Sequence, residues 1–186
     1  TALLMSYKDA LKEFFGENCL LNEPMRLHTT YRTGGPAEVY VYPQSPEQWA
    51  FVLKLARTEN IPLRVVGFGS NILVSSRGVG GITCSTKKMN RIVVEGDSIS
   101  AQAGASLDKV AQLACNAGLA GMEKLSGIPG SVGGAVYMNA GAYGQEIGTC
   151  CTQVTSLDTA GNMRVRTAGE CAFGYRHSLF QELAGN

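Results

Sequence analysis

Residues 127–144 read GIPGSVGGAVYMNAGAYG, and this stretch decides how the rest of the chain is interpreted. Six of its eighteen residues are glycine, at positions 127, 130, 133, 134, 141 and 144. Each glycine held in place costs about 0.5–1 kcal/mol relative to alanine, so this density needs a physical reason. We expect a ligand to approach the backbone here, with Ser131 capping a short helix whose free N–H groups face an anion. A tightly packed turn between two elements is the alternative.

The composition of the chain indicates which broad class of protein it belongs to. Its 186 residues are 45% hydrophobic and 17% charged, as in a soluble globular protein. A formal net charge of +1 gives no electrostatic reason to expect nucleic acid or an anionic membrane as a partner. No apolar run approaches the roughly 20 residues of a membrane span, and charge interrupts the first residues before a signal-peptide core could form. We therefore expect a cytoplasmic protein without a membrane segment.

The six cysteines do not have the spacing of a metal site. No C-x-x-C occurs, and the only histidines are His28 and His177, so zinc-binding patterns are absent and we expect no metal. Without a secretory signal, reduced and mostly buried thiols are favoured over disulfides. The neighbours Cys150 and Cys151 leave a redox role open.

Local signals in the first half of the chain predict helices and strands. Residues 6–15 have the pattern of an amphipathic helix, with Ser6 as N-cap and a glycine just past the end. Ser45 and Pro46 open a second helix. Strands are predicted at 37–42 and, as a buried strand, at 63–66. These elements form a β-α-β unit, with a right-handed crossover if the strands are parallel.

Short strands dominate the second half of the chain. Hairpins are predicted around the turns at 95–97 and 158–162, and a helix over 106–117 stops at Gly118. The pattern predicts an α+β protein with a boundary near residue 85. An α/β first domain would occupy residues 1–85, and an α+β second domain would occupy residues 86–186.

Three further segments are candidates for ligand contacts. GFGSNILV at 67–74 follows a strand, where backbone N–H groups are free, but it lacks the P-loop lysine and the third glycine of the dinucleotide fingerprint, so a plain turn stays open. Arg32, in HTTYRTGGP at 28–36, faces either an anion or solvent. Arg176, in FGYRHSLF at 173–180, suits a carboxylate or a developing oxyanion, or is a surface arginine.

In their order along the chain, the four segments at 28–36, 67–74, 127–144 and 173–180 resemble the UDP-N-acetylenolpyruvoylglucosamine reductase family, flavoenzymes of peptidoglycan synthesis. The resemblance runs from about residue 24 to the end of the chain. It implies the two-subdomain FAD-binding module that is also found in flavoproteins of the p-cresol methylhydroxylase (PCMH) and vanillyl-alcohol-oxidase type. The two predicted domains would then be the two FAD-binding subdomains.

The resemblance also implies site residues. The implied FAD contacts are Arg32, Thr33, Gly67, Gly69, Ser70, Asn71, Ile128, Pro129, Gly130, Ser131, Gly133, Gly134, Asn139, Gly141 and Ala142. Those at 67–71 would meet the pyrophosphate. Arg176 matches the arginine that steadies the substrate carboxylate and the enol, with Tyr175 beside it in the substrate site.

The implied reaction has two halves. NADPH gives a hydride to FAD, and the reduced flavin passes it to the enolpyruvyl double bond of a UDP-linked sugar. The enolate that forms must then be protonated, and the product is UDP-N-acetylmuramate. The implied cofactor is FAD, the hydride donor is NADPH, and the partner is a small nucleotide sugar.

Members of this family continue into a third domain, which carries the proton donor and much of the nucleotide-sugar site. This chain ends at Asn186, so we expect a piece of a longer reductase that recognises FAD but turns over substrate poorly. We expect self-association if the edge beneath that domain is exposed. A FAD oxidase of the same fold and a non-catalytic flavin-binding module are the alternatives.

Overall fold

A computed structural model describes residues 6–183 of the chain. The outermost residues of the two predicted domains, 1–5 and 184–186, lie outside the described residues. The helices are α1 (Tyr7–Phe15), α2 (Pro46–Thr58), α3 (Leu107–Asn116), α4 (Val132–Met138), α5 (Ile147–Cys150) and α6 (Leu179–Leu183). The strands are β1 (Cys19–Pro24), β2 (Pro36–Val41), β3 (Leu63–Val66), β4 (Val79–Ser85), β5 (Ile92–Glu95), β6 (Ser98–Ala101), β7 (Gly141–Ala142), β8 (Gln145–Glu146), β9 (Gln153–Leu157) and β10 (Met163–Thr167). This mixture confirms the predicted α+β class.

The chain folds into two compact units. The first extends to Lys88 and also contains Leu157–Asn162, whereas the second contains Met89–Ser156 and the residues from Met163 onward. The sequence predicted one domain boundary near residue 85. The structure differs, because Leu157–Asn162 follow that boundary but belong to the first unit. Within the first unit, Gly161 lies so close to α2 that a Cβ at this position would be 3.0 Å from the Cβ of Ala50.

A four-stranded sheet forms the centre of the first unit. Its strand order is β1-β2-β4-β3, with β1 antiparallel to β2, and with β2 and β3 both parallel to β4. The elements of the predicted β-α-β unit are present, but β4 lies between its two strands. Because the three parallel strands run the same way, their carboxyl ends meet at one edge of the sheet.

The predicted burial of β3 is wrong. Only Val66 of this strand is buried, whereas Val65 is 59% exposed. β3 is one of the two edge strands of this four-stranded sheet, and Arg64 Nη1 donates to the Gly80 carbonyl at 2.6 Å. A short apolar run does not by itself distinguish a central strand from an edge strand.

The predicted helix caps are confirmed. Ser6 Oγ accepts from the Asp9 N–H at 3.3 Å in a reciprocal capping box at the start of α1. Ser45 Oγ accepts from the Gln48 N–H at 3.3 Å at the start of α2, where Pro46 is the first helical residue. These bonds satisfy N–H groups that the first turn of a helix leaves without partners.

The second unit packs short elements around a small core. The predicted hairpins appear as β5–β6 and β9–β10, and the predicted helix over 106–117 appears as α3. The buried cluster of this unit consists of Leu107, Leu125, Ala135 and Ile147. Across residues 6–183, no helix is long and apolar enough to cross a membrane.

Glu38 of β2 connects α1 to the sheet. Its Oε1 lies 2.6 Å from Lys8 Nζ, and its Oε2 accepts from the Gly81 N–H at 2.7 Å. Hydrogen bonds from Lys8, from the Gly81 N–H and from Tyr7 lower the pKa of Glu38 to about 2. A carboxyl group whose pKa falls on folding stabilises the fold above its unfolded pKa, and this contribution disappears as the pH falls through the folded value.

Glu38→Gln is therefore expected to lower stability at pH 7 and to make stability less sensitive to pH between about pH 5 and pH 2. Urea unfolding, followed through the fluorescence of Trp49, the single tryptophan, measures both effects. Glu13→Gln, at an exposed position of α1, is the control. If Glu38→Gln and the wild type lost stability equally on acidification, the Glu38 network would not contribute in this way.

Candidate functional site

The loop after β3 presents backbone donors at the carboxyl edge of the parallel strands. Loops at this edge commonly bind ligands in α/β proteins. Among residues 6–183, no protein acceptor meets the N–H groups of Phe68, Gly69 or Asn71. The neighbouring Ser70 is partly buried and makes an interaction of its own. The loop that begins at Gly67 can therefore offer several N–H groups to an anion.

Gly69 holds this loop against the predicted segment 28–36. Its φ is +72°, and a Cβ at this position would lie only 2.0 Å from the His28 carbonyl oxygen. The Gly69 carbonyl accepts from the Thr30 N–H at 3.1 Å and from the Thr30 hydroxyl at 3.3 Å. The structure thus brings two of the four sequence segments together, and the contact depends on a residue without a side chain.

Arg32 and Thr33 lie on the exposed side of this segment. Arg32 has φ +53°, and the Thr33 carbonyl accepts from the Thr29 hydroxyl at 2.9 Å. In the part of the chain that the structure describes, the Arg32 guanidinium has no protein partner. Arg32 lines a cleft of about 440 Å³ together with Arg26, Leu27 and Thr29. Two cationic side chains at one cleft favour an anionic ligand.

His28 anchors the same segment from inside the first unit. It is 8% exposed, and its Nε2 lies 2.8 Å from Glu23 Oε1. The imidazole stacks on the ring of Tyr40, with 4.3 Å between ring centroids. Burial raises the pKa of Tyr40. No local pattern in the sequence indicates this anchor, because its partners come from β1 and β2, and only the paired sheet brings them together.

The glycine stretch is held by hydrogen bonds to the start of α3. Asp108 Oδ1 accepts from the Gly127 N–H at 2.7 Å and from the Ser126 hydroxyl at 3.1 Å. The Leu107 N–H donates to the Gly130 carbonyl at 3.1 Å. The stretch is therefore fixed on one side by the protein itself.

Ser131 caps a short helix as predicted, but, contrary to our prediction, the N–H groups in the first turn of that helix are not free for an anion. Ser131 Oγ accepts from the Gly134 N–H at 3.3 Å. The N–H groups of Val132 and Gly133 donate at 2.8 Å to carbonyls of the segment that precedes α3. The first three N–H groups of α4 are thus already used. Just before this helix, the N–H groups of Gly130 and Ser131 have no protein acceptor among the described residues.

Packing within the protein explains part of the glycine content that we attributed to a ligand. A Cβ at Gly133 would lie 2.9 Å from the Cβ of Ala103. A Cβ at Gly141 would lie 2.4 Å from the Gln145 carbonyl oxygen. Ile128 packs against the buried cluster of the second unit. Packing within the protein is therefore sufficient to require glycine at 133 and 141.

Asn139 is the buried hub of the second-unit site. It ends α4 with φ +41° and is 1% exposed. Its Nδ2 donates to Glu146 Oε2 at 2.7 Å and to the Gly174 carbonyl at 2.8 Å, and its Oδ1 accepts from the Gly148 N–H at 2.9 Å. Both amide donors are used by the protein. Asn139 therefore shapes the turn that leads to Gly141 and Ala142 rather than offering its donors to a ligand.

Arg176 lies at the tip of a tight turn beside the glycine stretch. Gly174 and His177 close this turn with two hydrogen bonds of 3.0 Å. Arg176 has φ +53°, and its Nη2 donates to the Gly141 carbonyl at 2.9 Å. No carboxylate among residues 6–183 pairs with its guanidinium. The structure thus joins the predicted arginine to the predicted stretch, with Tyr175 next to it at 84% exposure.

Cys150 and Cys151 are partly buried free thiols. Burial raises the pKa of Cys150, and it raises the pKa of Cys151 to about 11. Because the thiolate is the reactive form, these shifts disfavour a redox role. All six cysteines are free, as predicted, although only Cys19, Cys84 and Cys171 are fully buried. The described residues contain no group of three or more side chains placed to hold a metal ion.

The fold of this chain is similar to that of PCMH-type proteins. The structure of p-cresol methylhydroxylase with bound substrate matches 96% of this chain and 40% of its own, with a TM-score of 0.64. At 17% identity this likeness shows the fold alone. The family model described as FAD binding domain matches residues 37–165, and the chain belongs to this family.

The resemblance drawn from the four segments is confirmed by the relatives of the chain. The UDP-N-acetylenolpyruvoylglucosamine reductase of Caldanaerobacter subterraneus subsp. tengcongensis is 42% identical over 175 residues, which cover 94% of this chain and 58% of the relative. The crystal structure of the reductase from Thermus caldophilus is 34% identical, with a TM-score of 0.72 over 86% of this chain and 55% of that one. The chain thus spans a little more than half the length of these relatives.

Proposed function

We propose that this chain is the FAD-holding part of a reductase that converts UDP-N-acetylglucosamine enolpyruvate to UDP-N-acetylmuramate in peptidoglycan synthesis. The proposed hydride donor is NADPH, and the proposed compartment is the cytoplasm. Support comes from membership of the FAD binding domain family and from a reductase that is 42% identical over 94% of the chain. Because the chain spans 58% of that relative, we expect this span alone to turn over substrate poorly.

The observation that carries the proposal is the placement of Arg176. One of its nitrogens donates to the Gly141 carbonyl, and the guanidinium is exposed. A guanidinium has five N–H donors, so most of them are left for a ligand. Its planar fork suits both the carboxylate of the enolpyruvyl group and the negative charge that develops as hydride arrives. Removal of one such donor typically costs about 3 kcal/mol of transition-state stabilisation.

The backbone donors of the loop after β3 suit the diphosphate of FAD. We assign the free N–H groups of Phe68, Gly69 and Asn71 to it, because such groups at a strand's carboxyl end bind phosphate. The N–H groups of Gly130 and Ser131 are assigned to the same cofactor. When bound, FAD supplies hydride transfer from NADPH to the enolpyruvyl double bond. The remaining proposed contacts are Arg32, Thr33, Gly67, Ser70, Ile128, Pro129, Gly133, Gly134, Gly141 and Ala142.

The side chains of this chain then have separate proposed roles. Arg176 binds the substrate carboxylate and stabilises the enolate charge, and Tyr175 contacts the substrate beside it. Asn139 holds both the Arg176 turn and the end of the glycine stretch in place. We assign the proton donor to none of the described side chains. Self-association of the chain is a further proposal, and light scattering over a range of concentrations tests it.

Two measurements test the proposed function. Titration with FAD, followed through the flavin absorbance bands, measures cofactor binding by the chain. NADPH oxidation by the full-length protein, with and without UDP-N-acetylglucosamine enolpyruvate, measures the reaction. A chain that binds no FAD would overturn the proposal. Oxygen consumption with an alcohol substrate would indicate an oxidase instead, and flavin binding without any turnover would indicate a non-catalytic module.

Arg176→Gln is expected to leave FAD affinity unchanged and to lower the substrate-dependent rate about 10²-fold, because the developing charge loses its partner. Steady-state NADPH oxidation measures the rate, and the flavin titration measures the affinity. Arg57→Gln, at an arginine in the last turn of α2, is the control. Equal rates for Arg176→Gln and Arg57→Gln would remove Arg176 from the proposed mechanism.

A further inference from the structure

Gln181 of α6 joins two parts of the candidate site. Its Nε2 donates to the Arg176 carbonyl at 3.0 Å and to the Tyr137 carbonyl at 2.9 Å. The Ser178 hydroxyl donates to the same Tyr137 carbonyl at 2.7 Å. Tyr137 belongs to the last turn of α4, whose carbonyls have no partner within the helix. One amide group therefore connects the helix of the glycine stretch to the arginine turn.

Hydrogen bonds hold both the backbone carbonyl and the guanidinium of Arg176. Its φ of +53° is a conformation that residues other than glycine adopt rarely, and neighbouring contacts are needed to maintain it. Gln181 binds the carbonyl of Arg176, while Gly141 accepts from the far end of its guanidinium at 2.9 Å. The direction of the guanidinium thus depends on both contacts, and only the second belongs to the sequence motif.

We propose that Gln181 is a positioning residue that sets the direction of Arg176 toward a carboxylate ligand. The identity of that ligand rests on the proposed function, whereas the positioning of Arg176 does not. A primary amide suits this place because it is neutral and brings two N–H donors to two carbonyl oxygens. A carboxylate of the same shape would turn acceptor atoms toward both carbonyls. Methionine would fill similar space without a donor, and lysine would restore donors.

The test compares Gln181→Glu, Gln181→Met and Gln181→Lys in the FAD-loaded full-length protein. The NMR signal of the Arg176 Nε–Hε group reports the guanidinium directly. We expect this signal to shift and broaden in the Glu and Met variants and to return toward the wild-type position in the Lys variant. Gln44→Glu makes the same change at an exposed residue whose side chain has no partner within the described chain, and it is the matched control.

Ligand affinity is the second readout. Flavin difference spectra measure the binding of UDP-N-acetylglucosamine enolpyruvate, and we expect the Glu and Met variants to bind it about tenfold more weakly with FAD affinity unchanged. An unchanged Arg176 signal in the Met variant would overturn the positioning role, as would unchanged ligand affinity in a variant whose signal has shifted. If the wild type bound no ligand, the proposed function would fail, while the Arg176 signal would still decide the role of Gln181. If the Glu variant did not fold, the Met variant would decide it alone.

Discussion

Asn139→Asp is expected to destabilise the protein by about 3–5 kcal/mol, a large part of the roughly 5–15 kcal/mol that stabilises a typical domain. The Asn139 side chain is buried and donates to the Glu146 carboxylate at 2.7 Å and to the Gly174 carbonyl at 2.8 Å. At pH 7 an aspartate would remove both donors and place a second carboxylate beside Glu146. Of the three bonds, only the one from the Gly148 N–H would keep its acceptor.

Urea unfolding at pH 7, followed by far-ultraviolet circular dichroism, measures this loss. Asn90→Asp is the matched control, because Asn90 is exposed and its side chain has no partner in the described chain. Asn139→Gly keeps a residue suited to φ +41° but removes the side-chain amide. We therefore expect it to lose less stability than Asn139→Asp and more than Asn90→Asp. The hub assignment is wrong if Asn139→Asp and Asn90→Asp unfold at the same urea concentration.

Gly69→Ala is expected to weaken FAD binding at least about tenfold and to lower stability by more than the roughly 1–3 kcal/mol of a strained backbone alone. The reason is a backbone conflict, since the new Cβ would lie 2.0 Å from the His28 carbonyl oxygen. The loop must move away from segment 28–36 to relieve this clash. That movement breaks the two hydrogen bonds from Thr30 to the Gly69 carbonyl. The free N–H groups of this loop would then leave their present positions.

Gly96→Ala is the control for Gly69→Ala, because it introduces backbone strain without a steric clash. Gly96 also has a left-handed backbone, with φ +59°, but a Cβ there would meet nothing within 4 Å. Flavin titration and urea unfolding of both variants therefore compare the same kind of strain with and without a clash. A Gly69→Ala variant that binds FAD as tightly as Gly96→Ala would show that the packing of this loop is not required for the cofactor.

Structural features that depend on residues within one turn of the chain could be predicted from the sequence. Ser6, Ser45 and Ser131 cap helices as their local patterns indicate, because a cap needs only a side-chain oxygen and an N–H group a few residues later. The two longer hairpins follow from equally local turn signals. The family resemblance was likewise visible, because its four segments are contiguous stretches of sequence.

Features that depend on distant parts of the chain were not predicted. Strand β1 has apolar residues only in its first half and contains Asn22 at φ +54°, so its pairing with β2 is what makes it a strand. The buried strand prediction for β3 failed because sheet order, rather than local composition, determines which strand lies at the edge. The contacts of Asn139 and Gln181 join α4 to a turn 35 or more residues later, as the Asn139–Gly174 separation illustrates.

The glycine stretch shows how composition can mislead about cause. A high glycine content indicates close approach, but it does not say whether a ligand or the protein approaches. Gly133 and Gly141 are explained by Ala103 and by the β8 backbone, respectively. The free donors instead lie at Gly130 and Ser131, where the sequence has one glycine and one serine.

The return of Leu157–Asn162 to the first unit has a consequence for biosynthesis. A ribosome releases the chain from its N-terminus, and domains generally fold as they emerge. The first unit cannot be complete when Lys88 emerges, because Gly161, which lies against Ala50, is still unmade. A gene fragment that stops at Lys88 would therefore encode an incomplete unit.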